Sequence, residues 1–190
     1  MILAFDIETT GLDPSKNALT MVCVYAANGY SRSFDFVRAI DPFTNQIVDP
    51  EKFTTMREEL LTLLDDSDTL CCYNGVEFEL PFLAQALLAS DEKLGERICK
   101  TLDVFFAVRY CIGAMPKLDK MLQWNGLQGK TASGLQAIEW ARTGVLDKLE
   151  EYCMDDARLT LELHLKNPQI WVDAEKTLFW SRDERGFGRA

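Results

Sequence analysis

The fold is decided near the start of the chain, by the stretch Ile2-Leu3-Ala4-Phe5-Asp6-Ile7-Glu8-Thr9-Thr10-Gly11-Leu12. Residues 2–7 are almost all apolar, which predicts a central strand that is buried on both faces. Because side chains alternate along a strand, Asp6 and Glu8 should lie on the same face as Ala4. Two carboxylates would then emerge together at the carboxyl end of a buried strand, where open α/β sheets usually bind ligands. A strand end that simply turns into solvent is the alternative interpretation.

The residues after this stretch predict alternating strands and helices. Strands are expected over residues 19–27 and 30–36, and Asn28-Gly29 between them is typical of a two-residue hairpin turn. Asp49-Pro50 then begins a helix, with proline at its first position. Further strands are predicted over residues 69–73 and 98–103, and further helices over residues 78–89, 104–110, 118–124, 133–142 and from about 145 to 166. A hairpin followed by alternating strands and helices indicates an α/β domain with a mixed sheet.

The length and composition are typical of one compact domain, since 47% of the 190 residues are hydrophobic and 26% are charged. We expect that domain to cover residues 1–168, with residues 169–190 as a C-terminal tail that forms a small hairpin packed on it. The longest apolar run, residues 19–27, is much shorter than the roughly 18 residues that a membrane-spanning helix needs. No basic segment precedes the first strand, so we expect no signal peptide and an intracellular location, cytoplasmic or nuclear.

The charge of the chain is acidic but unevenly distributed. The 20 basic and 30 acidic residues give a formal net charge of −10, and a uniformly acidic surface would repel nucleic acid. Residues 93–130, however, hold seven basic side chains and three acidic ones. Acids gathered opposite a basic strip suit a metal site that handles phosphates, and they equally suit an ordinary solvated surface. A single histidine and no Cys-x-x-Cys pair argue against a structural zinc site.

The last long helix contains an acid where the periodicity calls for an apolar side chain. Asp156 falls within an apolar stripe of this helix, and Tyr152 lies one turn earlier on the same face. The neighbouring Asp155 points away from the stripe, toward the surface. A buried ionised carboxylate is costly unless it is paired or binds a cation. Asp156 is therefore a candidate metal ligand, with a hydrogen-bonded structural aspartate as the alternative.

A third acid, Glu79, lies in the first turn of a predicted helix, where the exposed amides favour a negative charge. That position alone would account for the residue. The neighbouring sequence nevertheless offers few basic residues: Lys16 is the one close to the first two acids, and none lies between residues 73 and 89. Carboxylates gathered in such sequence surroundings suggest a hard divalent ion, Mg²⁺ or Mn²⁺.

Three stretches of the chain, in this order, resemble the motifs of the DEDD, or DnaQ-like, 3′–5′ exonucleases. The first stretch is Phe5-Asp6-Ile7-Glu8-Thr9-Thr10-Gly11-Leu12, and the second is Tyr73-Asn74-Gly75-Val76-Glu77-Phe78-Glu79. The third stretch, Tyr152-Cys153-Met154-Asp155-Asp156, fits the family's third motif, Tyr-x-x-x-Asp. Its tyrosine is typical of the branch that contains the proofreading domains of family B DNA polymerases and related stand-alone exonucleases. Residues 130–134, Lys-Thr-Ala-Ser-Gly, also resemble the helicase-associated members of this branch.

The resemblance implies a ribonuclease H-like fold, in which helices flank a five-stranded mixed sheet. It also implies two divalent metal ions, Mg²⁺ or Mn²⁺, held by four acids: Asp6, which would bridge both ions, Glu8, Asp156 and Glu79. Tyr152 would orient the attacking water. The 3′-terminal nucleotide would be bound by residues of the first two motifs, namely Thr9, Thr10, Gly11, Leu12, Asn74 and Phe78. Glu79 departs from the family, which normally has aspartate at this position, and the longer side chain would alter how the second ion is held.

The resemblance predicts a metal-dependent 3′–5′ exonuclease that acts on single-stranded ends and releases nucleoside 5′-monophosphates. Its substrates would be the 3′ ends of single-stranded DNA or RNA, with DNA favoured, and a helicase or a polymerase is a candidate partner. Asp103, as a supporting acid, and Lys130, as a phosphate contact, are further candidates. Two alternatives stay open, a structure-selective endonuclease on the same fold and a non-catalytic module that binds nucleic acid or a partner, and so does the oligomeric state.

Overall fold

The computed structural model describes residues 1–129, 133–166, 170–171, 178–183 and 186–188. Lys130, the predicted phosphate contact, lies outside the described residues, as does part of the predicted tail over residues 169–190.

A five-stranded mixed sheet forms the centre of the molecule, which confirms the predicted fold class. Its strands are β1 (Ile2–Thr9), β2 (Leu19–Ala26), β3 (Ser31–Asp35), β4 (Thr69–Cys72) and β5 (Thr101–Asp103). They lie in the order β3-β2-β1-β4-β5. The pairs β1–β2 and β2–β3 are antiparallel, whereas β1–β4 and β4–β5 are parallel. The carboxyl ends of β1, β4 and β5 therefore meet at one edge of the sheet.

The helices pack around this sheet and mostly follow the predicted order. They are α1 (Pro50–Asp66), α2 (Glu79–Ala86), α3 (Asp91–Cys99), α4 (Val104–Ile112), α5 (Leu118–Trp124), α6 (Gly134–Thr143) and α7 (Leu146–Leu165), with a 3₁₀ turn at Phe36–Arg38. Helix α1 begins as predicted, with Pro50 in the first turn and the Asp49 carboxylate accepting from the Lys52 amide at 3.0 Å. These local signals define helix ends because they satisfy amides that have no partner within the helix.

Helix α3 is not among the predicted elements, and the predicted strand over residues 98–103 includes its last two residues. The structure ends α3 at Cys99 and limits β5 to Thr101–Asp103. The sequence does contain a helix-start signal, because the Ser90 hydroxyl accepts from the Lys93 amide at 3.3 Å and two acids follow in the first turn. The strand prediction over residues 98–103 did not take this signal into account.

The turn between β2 and β3 differs from the predicted two-residue hairpin. The Ala26 amide donates to the Tyr30 carbonyl at 2.8 Å, which leaves three residues, 27–29, in the loop. The Gly29 amide donates back to the Ala26 carbonyl at 2.9 Å, and Gly29 has a φ of 87°. A turn completed by one residue in the left-handed region is the usual three-residue hairpin, and glycine adopts it without a steric penalty.

Strand β1 is buried on both faces, as predicted. On one face Leu3, Phe5 and Ile7 join an apolar cluster that includes Leu60 and Leu64 of α1. On the other face Ala4 packs with Leu161 of α7. The alternation of side chains then places Asp6 and Glu8 on the face that α7 covers.

The backbone described near the C-terminus forms a second, three-stranded antiparallel sheet. Its strands are β6 (Ile170–Trp171), β7 (Leu178–Asp183) and β8 (Gly186–Gly188), in that order. Among the residues that the structure describes, none of the helices has the length and apolar character needed to cross a membrane.

Candidate active site

Asp6, Glu8 and Asp156 form a compact group of carboxylates between β1 and α7. One oxygen from each residue lies within 4.8 Å of an oxygen of the other two. Glu8 is 8% exposed and Asp156 is 2% exposed, so most of the negative charge is shielded from water. Like charges at this spacing repel one another, and repulsion raises the free energy of the doubly and triply ionised states. The donor set, three carboxylates on rigid elements, fits a hard divalent cation such as Mg²⁺ or Mn²⁺.

A hydrogen bond between the two elements supports this geometry. The Cys153 thiol of α7 donates to the Asp6 carbonyl at 3.4 Å. Burial, reinforced by the neighbouring Cys23 thiol and nearby carboxylates, raises the pKa of Cys153 well above its ordinary value, so the group stays a neutral donor. Helix α7 is therefore joined to β1 beside the first acid and three residues before Asp156.

Glu79 approaches the same region from a different element. It is the first residue of α2 and is 5% exposed, although it is not a member of the three-carboxylate group. The loop before it is closely packed around Gly75, where an added Cβ would lie 2.3 Å from the Cys72 Sγ atom and 3.5 Å from the Glu79 Oε2 atom. Any larger residue at position 75 would displace β4 or the loop that carries Glu79.

A cleft of about 610 Å³ opens at this edge of the sheet. Its walls include the four predicted acids, Tyr152, and two of the predicted substrate contacts, Asn74 and Phe78. Tyr152 is buried one turn before Asp156 on α7, and its ring packs against Trp140 with the ring centroids 6.2 Å apart. The structure therefore brings residues of all three sequence motifs to one cavity.

Residues 9–12 of the first motif are not among those that line the cleft. The Thr9 hydroxyl donates to the Gly11 carbonyl at 2.7 Å, and the Thr10 hydroxyl accepts from the Ala18 amide at 2.9 Å. A Cβ at Gly11 would lie 2.4 Å from the Asn17 Oδ1 atom, so a larger residue there would have to displace the Asn17 side chain. Leu12 is 81% exposed. In this structure the two hydroxyl groups shape the turn, and Leu12 is presented at its surface.

The cleft is also lined by residues that are not among the predicted site residues, namely Ile7, Tyr73, Lys117, Leu118, Asp119, Ser133 and Gly134. Ile7 and Tyr73 belong to the first two motifs, and Ser133 and Gly134 to the stretch over residues 130–134. The Tyr73 hydroxyl donates to the Pro116 carbonyl at 2.6 Å, which joins the loop after β4 to the residue before Lys117. Burial raises the pKa of Tyr73 above its ordinary value, so it remains a hydrogen-bond donor. Residues 117–119 belong to the basic strip over residues 93–130, and no local pattern in the sequence indicates that they line a cleft with the acids.

Two other residues near the motifs, Asp155 and His164, have structural partners. Asp155, predicted to face the surface, pairs with Arg158 at 3.2 Å on the outside of α7. His164, two turns beyond the third motif, is buried, and its Nε2 atom lies 3.3 Å from the Cys72 carbonyl oxygen of β4.

Comparison with known proteins places this arrangement in a family. Residues 3–166 match the model of the RNase H superfamily. A DNA polymerase from Thermococcus aggregans is 28% identical over 191 residues, which cover 85% of this chain but only 10% of the polymerase.

Two solved structures share the fold. One is the family B DNA polymerase of the hyperthermophilic archaeon Pyrobaculum calidifontis, with a TM-score of 0.61, 20% identity, and coverage of 87% of this chain and 24% of the polymerase. The other is a product-bound exonuclease I, with a TM-score of 0.51, 15% identity, and coverage of 86% and 46%. The chain thus spans a minor part of each relative. The resemblance to the DnaQ-like 3′–5′ exonucleases is confirmed, and the chain belongs to the RNase H superfamily.

Proposed function

We propose that this protein is a metal-dependent 3′–5′ exonuclease of the tyrosine branch, which removes nucleoside 5′-monophosphates from single-stranded ends. The observation that carries the proposal is the group formed by Asp6, Glu8 and Asp156 at the end of a buried strand, in a cleft that Tyr152 also lines. The match to the RNase H superfamily supports a nuclease, and the similarity to a DNA polymerase and to exonuclease I supports a nuclease that favours DNA.

The charges of the cleft support two divalent ions. Among the described residues that line it, five are carboxylates, Asp6, Glu8, Glu79, Asp119 and Asp156, and one is a lysine, Lys117. The net charge of −4 would repel a phosphodiester backbone, and two divalent cations would neutralise it. When bound, two such ions stabilise the entering and the leaving oxygen of an in-line displacement at phosphorus.

The side chains of the chain itself would divide the remaining tasks. We assign Asp6, Glu8 and Asp156 to one ion and Asp6 with Glu79 to the other. Tyr152 would orient the attacking water through its hydroxyl group, because a phenol with a pKa near 10 is a poor base at neutral pH. Asn74 and Phe78 would hold the terminal nucleotide inside the cleft, and the turn over residues 9–12 would hold it from outside.

The extent of the enzyme is also part of the proposal. We propose that residues 1–168 form the exonuclease domain and that residues 169–190 form a tail packed on it. Since the polymerase that matches carries this region as a tenth of its length, a polymerase is the partner that we propose to test first. A helicase is the second candidate, because residues 130–134 resemble the helicase-associated members of the tyrosine branch.

A direct test uses DNA and RNA oligonucleotides labelled at either the 3′ or the 5′ end, incubated with Mg²⁺, Mn²⁺ or EDTA. We expect stepwise shortening of 5′-labelled DNA, immediate release of a labelled mononucleotide from 3′-labelled DNA, and no reaction with EDTA. A blocked 3′ end should abolish the reaction, and internal cleavage of the blocked strand would instead establish an endonuclease. Calorimetric binding of Mn²⁺ without any cleavage would leave a non-catalytic binding module.

A further inference from the structure

One buried carboxylate at the end of β5 holds the loop that follows β4. We propose that Asp103 is a positioning residue, which sets Asn74 and Glu79 in the cleft by binding the backbone of this loop. This inference rests on the proposed function. The Asp103 Oδ1 atom accepts from the Asn74 amide at 2.9 Å, and its Oδ2 atom accepts from the Val76 amide at 3.0 Å. Asp103 is 6% exposed, so little water competes for these hydrogen bonds.

The loop begins with a residue in an uncommon backbone conformation, directly at the Asp103 hydrogen bonds. Asn74 has a φ of 76°, in the left-handed region, which asparagine adopts more readily than other non-glycine residues. The loop also runs directly into α2: the Phe78 amide donates to the Asn74 carbonyl at 3.0 Å, and the Leu80 amide donates to the Gly75 carbonyl at 2.8 Å. A shift of Asn74 or Gly75 would therefore move Glu79, the first residue of α2, as well as the Asn74 side chain.

The same carboxylate also caps the following helix. Its Oδ1 atom accepts from the Phe106 amide at 3.1 Å, in the first turn of α4. Asp103 thus joins β5, α4 and the loop after β4 through three backbone donors. Helix α4 contacts the loop a second time through an ion pair between Arg109 and Glu77, whose side chains are partly exposed. This outer contact involves side chains alone and supplies a matched control.

The substitution Asp103→Asn tests the hydrogen bonds with almost no change in volume. An asparagine side chain has one acceptor oxygen and one NH₂ donor in place of two acceptor oxygens. Whichever way the amide is oriented, its NH₂ group faces at least one loop N–H, and that donor loses its partner. Arg109→Gln removes the outer ion pair and leaves both loop amides bound to Asp103.

The decisive experiment measures Mn²⁺ affinity by calorimetry, together with single-turnover rates on a DNA oligonucleotide. Asp103→Asn should weaken the affinity for Mn²⁺ and lower the rate about 10- to 100-fold, the range seen when a residue that orients a ligand is lost. Arg109→Gln should change both by less than about 2-fold, as expected for an exposed pair. In a Glu79→Ala background, Asp103→Asn should no longer weaken Mn²⁺ binding. If the two substitutions lower the affinity for Mn²⁺ by factors that multiply in the double variant, the proposal is overturned. Free-energy effects of residues that act through one another are not additive.

Amide hydrogen exchange in the wild-type protein gives a second test, which does not depend on whether Asp103→Asn folds. The Asn74 and Val76 amides should exchange as slowly as amides of the neighbouring β4 strand, although they lie in a loop. Fast exchange at both positions would overturn the proposal. A wild-type protein that binds Mn²⁺ but cleaves nothing would refute the proposed function alone, since the Mn²⁺ and exchange measurements would still decide the role of Asp103. A wild-type protein that binds no Mn²⁺ would refute both.

Discussion

At the scale of single residues, two adjacent acids of α7 have opposite surroundings. Asp156 lies in the three-carboxylate group and is almost fully buried, whereas Asp155 pairs with Arg158 on the outer side of the helix. Residues that are neighbours in sequence are separated by about 100° around a helix, which explains the contrast. The site therefore depends on the helical register.

Asp156→Ala and Asp6→Ala should each lower the exonuclease rate at least about 10³-fold, because a metal-borne electrostatic contribution would be lost. Circular dichroism should show both variants folded, since removing one acid relieves repulsion among the others. Asp155→Ala is the control, and Arg158 keeps its second partner, Glu162, in that variant. A rate for Asp155→Ala as low as that for Asp156→Ala would contradict the assignment.

Tyr152→Phe isolates the hydroxyl group, because the phenyl ring preserves the packing against Trp140. We expect a 10- to 100-fold lower single-turnover rate, the lower range for a group that positions a proton, with unchanged Mn²⁺ affinity. If the rate is unchanged, Tyr152 serves packing alone.

Glu79 is the residue at which the chain departs from its family. We expect Glu79→Asp to slow the reaction or weaken metal affinity about 10-fold, because the Glu79 carboxylate lies close to Gly75 of the loop and the shorter side chain would withdraw it from that position. The measurement is the exonuclease rate against Mg²⁺ concentration for the wild type, Glu79→Asp and Glu79→Ala. The wild type should be fastest throughout; a faster aspartate variant would indicate that glutamate marks a loss of function, and equal rates for all three would remove Glu79 from the site.

At the scale of elements, the contact of α7 with the sheet makes stability depend on pH. The His164 Nε2 atom lies against the Cys72 carbonyl oxygen of β4, and burial lowers the pKa of His164 to about 4 from an ordinary value of 6.5, although Cys72, Leu102 and Asp103 oppose the shift. Between these pH values the unfolded chain binds more protons than the folded one. The free energy of unfolding therefore has its full value above about pH 6.5, where His164 is neutral in both states, and it falls as the pH decreases toward 4.

The corresponding prediction compares the wild type with His164→Gln, whose amide can still donate to the Cys72 carbonyl. Between pH 7 and pH 4 the wild type should lose up to about 3 kcal/mol more free energy of unfolding than the variant does, since each pKa unit corresponds to about 1.4 kcal/mol. Urea unfolding at several pH values measures this difference. Because the carboxylates titrate in both proteins, their contribution cancels when the two are compared. Parallel pH profiles would show that His164 titrates normally.

At the scale of the whole molecule, the concentrated negative charge of the cleft should couple folding to metal binding. An ion that binds only the folded state at 100 times its Kd adds about 2.7 kcal/mol of stability. For a chain of this length we therefore expect saturating Mn²⁺ to raise the Tm by about 5–10 °C. Differential scanning calorimetry with Mn²⁺ or with EDTA measures the shift. The Tm of Asp156→Ala should rise little when Mn²⁺ is added. A wild-type Tm that does not change with Mn²⁺ would contradict a metal site in this cleft.

Much of this molecule follows from local sequence patterns alone. The apolar run of β1 with acids at its end, the proline and aspartate that begin α1, and the acid within the apolar stripe of α7 are all local features, and the structure contains each of them. They are readable because alternation along a strand, periodicity around a helix and helix capping depend only on residues close in sequence. The unpredicted helix α3 and the three-residue hairpin show where even local signals compete.

The convergence of the site was decided by the tertiary structure. The strand order places β1 beside β4 and β4 beside β5, and α7 closes over β1, so that the four predicted acids, from three distant segments, meet in one cleft. No local pattern indicated that the Tyr73 hydroxyl would donate to the Pro116 carbonyl, or that Lys117 and Ser133 would line the same cleft as the acids. Nor did one indicate that the Asp103 carboxylate would hold the amides of Asn74 and Val76. The sequence around a residue determines which face of its strand or helix the residue occupies. Strand pairing and helix packing determine which distant residues that face contacts.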